Sequence, residues 1–155
     1  MDVASADLCP GLLMNAADGG DLRFALVRDW LLRVRQTVVL PDSQPEPDFA
    51  IVRGTPRSYL TRNPCPSDIS TVVEVADASL LRDQCDKTRI YARAGIPCYW
   101  IVNLEEQRLH VYSRPTGPIT VPAFQSFQIY QPGDDLPLVL DGAMVGTVPV
   151  AELLP

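Results

Sequence analysis

Apolar residues recur every four positions from Leu22 through Leu26 to Trp30, with Val27, Leu31 and Val34 beside them. Preceded by a Gly19-Gly20 break and by Asp21 as a cap, this spacing predicts a core-facing helix. Gln36 to Leu40 is short and β-branched, and Phe49-Ala50-Ile51-Val52 is an apolar run. Six of the 15 prolines lie between Pro41 and Pro66, on both sides of that run. The pattern predicts a strand, a proline-rich turn, a second strand and a surface loop. Ile69 to Ala76, Ile-Ser-Thr-Val-Val-Glu-Val-Ala, is almost wholly apolar or β-branched, as expected of a strand covered on both faces. Its one charge, Glu74, needs a physical reason.

Asp77 or Ser79 can cap a helix running to about Ala94, with Gly95 and Pro97 as the stop. Tyr99 to Val102 reads as another buried strand. Gln107 to Ser113 alternates, Leu109 and Val111 on one side and His110 and Tyr112 on the other, and should pair with it through a turn at Glu105-Glu106. Phe124 to Tyr130 is a further strand. The last twenty residues read as short strands and turns, with no internal repeat and no linker. The expected organisation is an acidic arm over residues 1–21 and one domain over residues 22–155.

The 155 residues are 46% hydrophobic and 21% charged, ordinary globular composition for one core. The early apolar run Leu12 to Met14 lacks the basic flank of a secretory signal, so a cytoplasmic protein with no membrane segment is expected. Cys9, Cys65, Cys85 and Cys98 form no Cys-x-x-Cys pair and have one histidine, His110, to assist them. Zinc is therefore not expected, and reduced cysteines are favoured over disulfides. The net charge of −6 argues against nucleic acid until its distribution is considered. Residues 1–21 and 134–155 each hold four acids and no base, leaving 13 bases against 11 acids between them, and every base but Lys87 is arginine. Arginine suits forked phosphate contacts, and the central segment permits them.

Three residues could carry chemistry. Asp48 follows Pro47 at the start of a strand, Glu74 sits near the end of the buried strand, and Lys87 lies in the helix that follows. If the two strands are neighbours, the carboxylates offer hard oxygen ligands to a magnesium-type ion, which keeps several waters and takes one or two carboxylates. A lysine at the same point can orient or deprotonate water and steady charge on a phosphoryl group. Each residue alone has an ordinary reading: Asp48 as a turn acid, and Lys87 as the surface partner of Asp83 four positions earlier. Glu74 is harder to dismiss, because a lone carboxylate in an apolar strand carries a desolvation penalty unless it is paired or metal-bound. There is no Gly-x-x-x-x-Gly-Lys phosphate loop, no Gly-x-Ser-x-Gly elbow and no organic-cofactor motif. Tyr99 and Trp100 read as core.

The order Pro47-Asp48, then Glu74 within Val-Val-Glu-Val-Ala-Asp, resembles the divided signature of PD-(D/E)XK nucleases. More narrowly, Val72-Val73-Glu74-Val75, Asp83-x-x-x-Lys87, Tyr91-Ala92 and the run from Ala94 to Asn103 resemble the Uma-type family of restriction endonucleases, over about three quarters of the chain. The resemblance implies an α/β fold, a restriction-endonuclease-like mixed β-sheet flanked by helices, here with a C-terminal extension of short strands. It implies a divalent-metal-dependent (Mg2+ or Mn2+) endonuclease hydrolysing DNA and acting as a homodimer. Asp48, Glu74 and Lys87 would be catalytic, with Asp48 and Glu74 holding the metal. The alternative is an inactive nuclease-fold module that binds nucleic acid or protein. The superfamily lysine two positions after the glutamate is replaced by Ala76, on the same face of the strand, which leaves room for Lys87 to reach in from the helix. The family's N-terminal glutamate hairpin and first-helix histidine have no counterpart before Leu22, and Asp29, the one acid in the expected first helix, is a remote candidate for contact with the site.

Overall fold

The computed structural model describes residues 29–77 and 84–155. Six strands form one sheet in sequence order: β1 Trp30–Val34, β2 Phe49–Arg53, β3 Ile69–Ala76, β4 Cys98–Asn103, β5 Arg108–Pro115 and β6 Phe124–Tyr130. All neighbours are antiparallel except β3 and β4, which run parallel and are joined across the helix α1, Gln84–Arg93. A parallel pair needs such a crossover, and α1 supplies it. Gly95 ends the helix at φ +74°, a conformation that glycine adopts without steric cost, and Ile96 then returns a backbone hydrogen bond to Tyr91. A second, two-stranded sheet follows, β7 Asp135–Leu140 with β8 Ala143–Pro149.

Alternation along the strands produces two cores. On one face Phe49, Ile51, Val73, Trp100, Val102, Leu109 and Val111 pack against Leu136, Leu138, Leu140 and Val148 of the small sheet and against Val150 and Leu153 beyond it. On the other face Ala50, Val52, Val72, Ala76, Tyr99 and Ile101 pack against Tyr91 of α1, Ile96, and Val38 and Leu40. The fold is the expected mixed-sheet α/β architecture, with one difference in its layers. Among the described residues α1 is the only α-helix, and the opposite face is covered by β7 and β8.

Two sequence expectations are corrected. The helix expected over residues 22–34 lies outside the described residues as far as residue 28, and its remainder is a strand, β1. Leu32 faces one core and Leu31 packs against the other, so both sides are apolar, and a short run of that kind fits a helix and a doubly covered strand equally well. Asp29 and Arg35, at φ +74° and +46°, turn the chain at its two ends. Gln36 to Leu40 forms no ladder. Its N–H groups instead bond to loop carbonyls, Val38 to Pro45 at 3.0 Å, Val39 to Pro64 at 2.8 Å and Leu40 to Ser43 at 2.9 Å, while Val38 and Leu40 are buried. The first residues of the helix expected from Asp77 or Ser79 also lie outside the described residues. Cys65, Cys85 and Cys98 are free thiols.

Candidate active site

The register of β2 on β3 decides where Asp48 stands. Phe49 pairs with Val73, so the next residues outward on the two strands are Asp48 and Glu74. The β2–β3 ladder ends at Phe49 and Val73, and the Asp48 side chain caps it: its Oδ2 accepts from the Val75 N–H at 2.8 Å. The Asp48 carbonyl meanwhile accepts from the Arg35 N–H at 3.0 Å, which extends the β1–β2 pairing by one residue. One carboxylate oxygen is thus committed to the backbone. The other, Oδ1, lies 3.9 Å from Arg35 Nε on an exposed side chain.

Glu74 points to the α1 side of the sheet and is 6% exposed. Its Oε1 accepts from the Tyr91 hydroxyl at 2.9 Å, and its Oε2 lies 3.3 Å from Lys87 Nζ. Lys87 and Tyr91 stand one turn apart on α1 and so present the same face to the strand. Ala76, on that face, is buried in the helix-side core. Burial pushes the Glu74 carboxyl above the usual glutamate range; Lys87 and the Tyr91 hydrogen bond oppose this, while the charge of Asp48 adds to it. Burial, and next the charge of Glu74, raise the Tyr91 phenol as well. The Tyr91 ring lies 4.9 Å from that of Tyr99, whose hydroxyl is buried with no hydrogen-bond partner.

The structure therefore brings Glu74 and Lys87 into contact and sets Asp48 beside them. Asp83 lies outside the described residues; among the described residues Lys87 pairs with Glu74. Asp29 is at the far end of β1, where its carbonyl accepts from Gly54, and takes no part. His110 sits on β5 with its ring edge-on to Phe127, and Trp100 is core on the opposite face. Sequence reasoning assigned no role to Tyr91 or Arg35. Tyr91 was legible in principle, since it lies four residues after Lys87; Arg35 was hidden by the misread helix. Among the described residues no three acidic, cysteine or histidine side chains converge as a ready metal cage. Two carboxylates do suit Mg2+ or Mn2+, which complete their shell with water. The mutual repulsion felt by Glu74 and Asp48 is what a cation would relieve.

A mixed sheet with an α-crossover between two central parallel strands, and acids at the ends of two adjacent strands, is a restriction-endonuclease-like α/β fold. A structure of a putative nuclease belonging to DUF820 from Anabaena variabilis ATCC 29413 is similar, with a TM-score of 0.55 at 16% identity over 81% of this chain and 68% of that one. The chain belongs to the Uma2 family, described as putative restriction endonuclease, whose model matches residues 8–144. No curated protein matches the chain. Among the described residues no helix is long and apolar enough to cross a membrane.

Proposed function

We propose that the protein is a divalent-metal-dependent endonuclease that hydrolyses DNA phosphodiester bonds, with Asp48 and Glu74 as metal ligands and Lys87 as the group acting on water and phosphate. The observation that carries this reading is the 3.3 Å approach of Lys87 Nζ to Glu74 Oε2, beside Asp48 at the end of the neighbouring strand. The ammonium offsets the charge of a buried strand carboxylate, and with its side chain 43% exposed it remains open to water and to substrate phosphate.

Asp48 Oδ1 and Glu74 Oε2 are the oxygens that would hold Mg2+ or Mn2+, since Oδ2 and Oε1 are engaged by Val75 and Tyr91. Bound there, the ion would supply a more acidic water and offset charge on the phosphoryl oxygens. Tyr91 fixes the rotamer of Glu74, and the Val75 N–H fixes that of Asp48. Lys87 donates to the attacking water or to a phosphate oxygen as negative charge develops. Arg35, 73% exposed beside Asp48, is placed to meet substrate phosphate.

Cutting both strands of a duplex calls for two such sites, hence a homodimer. Support comes from β6 and its flanks. Residues 115–133 carry no charge, and Phe127 and Ile129 of β6 are 49% and 45% exposed. An uncharged strand at the sheet edge invites pairing with another chain. The test of the function is plasmid cleavage by the purified chain with Mg2+ or Mn2+ and with chelator. Cleavage that appears only with the metal supports the reading, and no cleavage with either ion, in a folded protein that binds neither, overturns it.

A further inference from the structure

Arg33 is the charge in this fold that the proposed reaction leaves unexplained. It sits mid-strand in β1, beside Ala50 of β2, and is only 9% exposed. Its Nε is buried without a hydrogen-bond partner, and its Nη2 reaches the Asn63 side-chain oxygen at 3.4 Å. Among the described residues it has no carboxylate partner. What it has is the Tyr59 ring, with the guanidinium carbon 5.2 Å from the centroid. Arg62 lies 5.0 Å from the same centroid, and its charge is spent in a forked pair with Asp68, at 2.6 and 3.2 Å. Arg57, on the turn that leads to Tyr59, adds another base, and no acid occurs between Asp48 and Asp68.

A guanidinium stays charged in proteins, so burying one without an anion carries a desolvation cost that a bound anion would offset. Burial does weaken the hold of Arg33 on its proton. Beside it stands the exposed Asn63, whose side-chain oxygen accepts from Arg33. A buried guanidinium with a donor left unpaired among the described residues offers a seat to an external anion. Ala50 and Val72 lie in line with Arg33 across the sheet, and Glu74 is two residues beyond Val72, on the same face. At the usual strand spacing the two Cα atoms are roughly 12 Å apart.

We propose that Arg33 and Asn63 form a phosphate-binding subsite on the Glu74 face of the sheet, taking a backbone phosphate of the nucleic acid whose scissile bond lies at Glu74. That the phosphate comes from DNA rests on the proposed function; that the subsite takes a phosphate group does not.

The experiment needs no cleavage. The full chain, metal-free in a phosphate-free buffer of constant ionic strength, is titrated with inorganic phosphate while its thermal midpoint is followed, for the parent, Arg33→Met and Asn63→Asp. Phosphate should raise the midpoint of the parent, as a ligand of the folded state does. Asn63→Asp supplies the counter-ion internally; it should start above the parent and no longer respond, and Arg33→Met should not respond either. Asn63→Asp is nearly isosteric, so the test survives if Arg33→Met fails to fold. A parent that ignores phosphate, or three proteins that respond alike, overturns the subsite. The source is read from binding of a short duplex in chelator over a range of salt. If the phosphate is DNA's, Asn63→Asp should bind about tenfold more weakly, with a salt slope lower by about one. Unchanged duplex binding beside a lost phosphate response supports the subsite and overturns its assignment to the DNA backbone.

Discussion

Lys87 Nζ approaches Glu74 Oε2 to 3.3 Å while Tyr91 holds Oε1 of the same carboxylate at 2.9 Å, so one face of α1 engages both oxygens of a buried acid. The two contacts have different consequences. Tyr91 is fully buried and its bond is permanent packing chemistry, whereas Lys87, with its side chain 43% exposed, can exchange its partner for water or phosphate.

Replacing Lys87 with Met should lower metal-dependent cleavage a hundredfold or more, because losing one preorganised charge contact to a transition state costs about 3 to 4 kcal/mol. Metal affinity should survive, since ammonium is not a ligand. Lys87→Arg should not rescue fully, because guanidinium does not readily give up its proton. Calorimetric metal binding paired with cleavage kinetics checks this, and a Lys87→Met protein that cleaves normally removes Lys87 from the mechanism.

Asp48→Asn and Asp48→Ala should separate the two uses of that side chain. Both should lose metal-dependent cleavage. The asparagine keeps an acceptor for the Val75 N–H, whereas alanine orphans it at about 1 to 2 kcal/mol. Denaturant melts alongside cleavage assays measure the difference; equal stability of the two variants would mean that the Val75 bond contributes nothing.

Glu74 gives the metal-free protein a pH signature. Its carboxyl titrates above the ordinary value of about 4.3, so the folded state holds a proton that the unfolded state has lost. By linkage its contribution to stability is fully present below the unfolded pKa and declines as pH rises towards the folded one. Glu74→Gln should flatten that decline, and Mg2+ should flatten it in the parent. Thermal midpoints from pH 4 upward test this; a Glu74→Gln profile parallel to the parent's rules it out.

Tyr91→Phe removes a donor from a buried acceptor. The Glu74 carboxyl should rise further, and metal affinity near neutral pH should fall more than at higher pH, a dependence that a simple packing defect would not produce. Metal titrations at two pH values read it out.

Light scattering on the parent and on Phe127→Glu examines the homodimer. A dimeric mass for the parent and a monomeric one for the variant are expected, because a charge on an exposed edge strand opposes pairing. A 17 kDa particle for the parent at micromolar concentration, with or without DNA, would exclude it.

How far the sequence reaches is clearest in the strands. Ile69–Ala76 and Phe124–Tyr130 were legible to the residue, and β4 and β5 nearly so, because burial on both faces or strict alternation leaves a local trace of period two or of continuous apolarity. The same rule misled at Trp30–Val34, where five residues covered on both sides carry no period at all, and at Gln36–Leu40, where β-branched residues are buried without a partner strand. Glu74 announced itself as the one charge in a buried run. That Asp48 stands next to it follows only from the pairing of Phe49 with Val73, and that Lys87 and Tyr91 share its two oxygens follows only from how α1 crosses the sheet. Local pattern records which side of an element is buried. It holds no record of register or of which charge faces which strand, because those are set by contacts between residues far apart in the chain, and it is there that the arrangement of Asp48, Glu74 and Lys87, and the burial of Arg33, were decided.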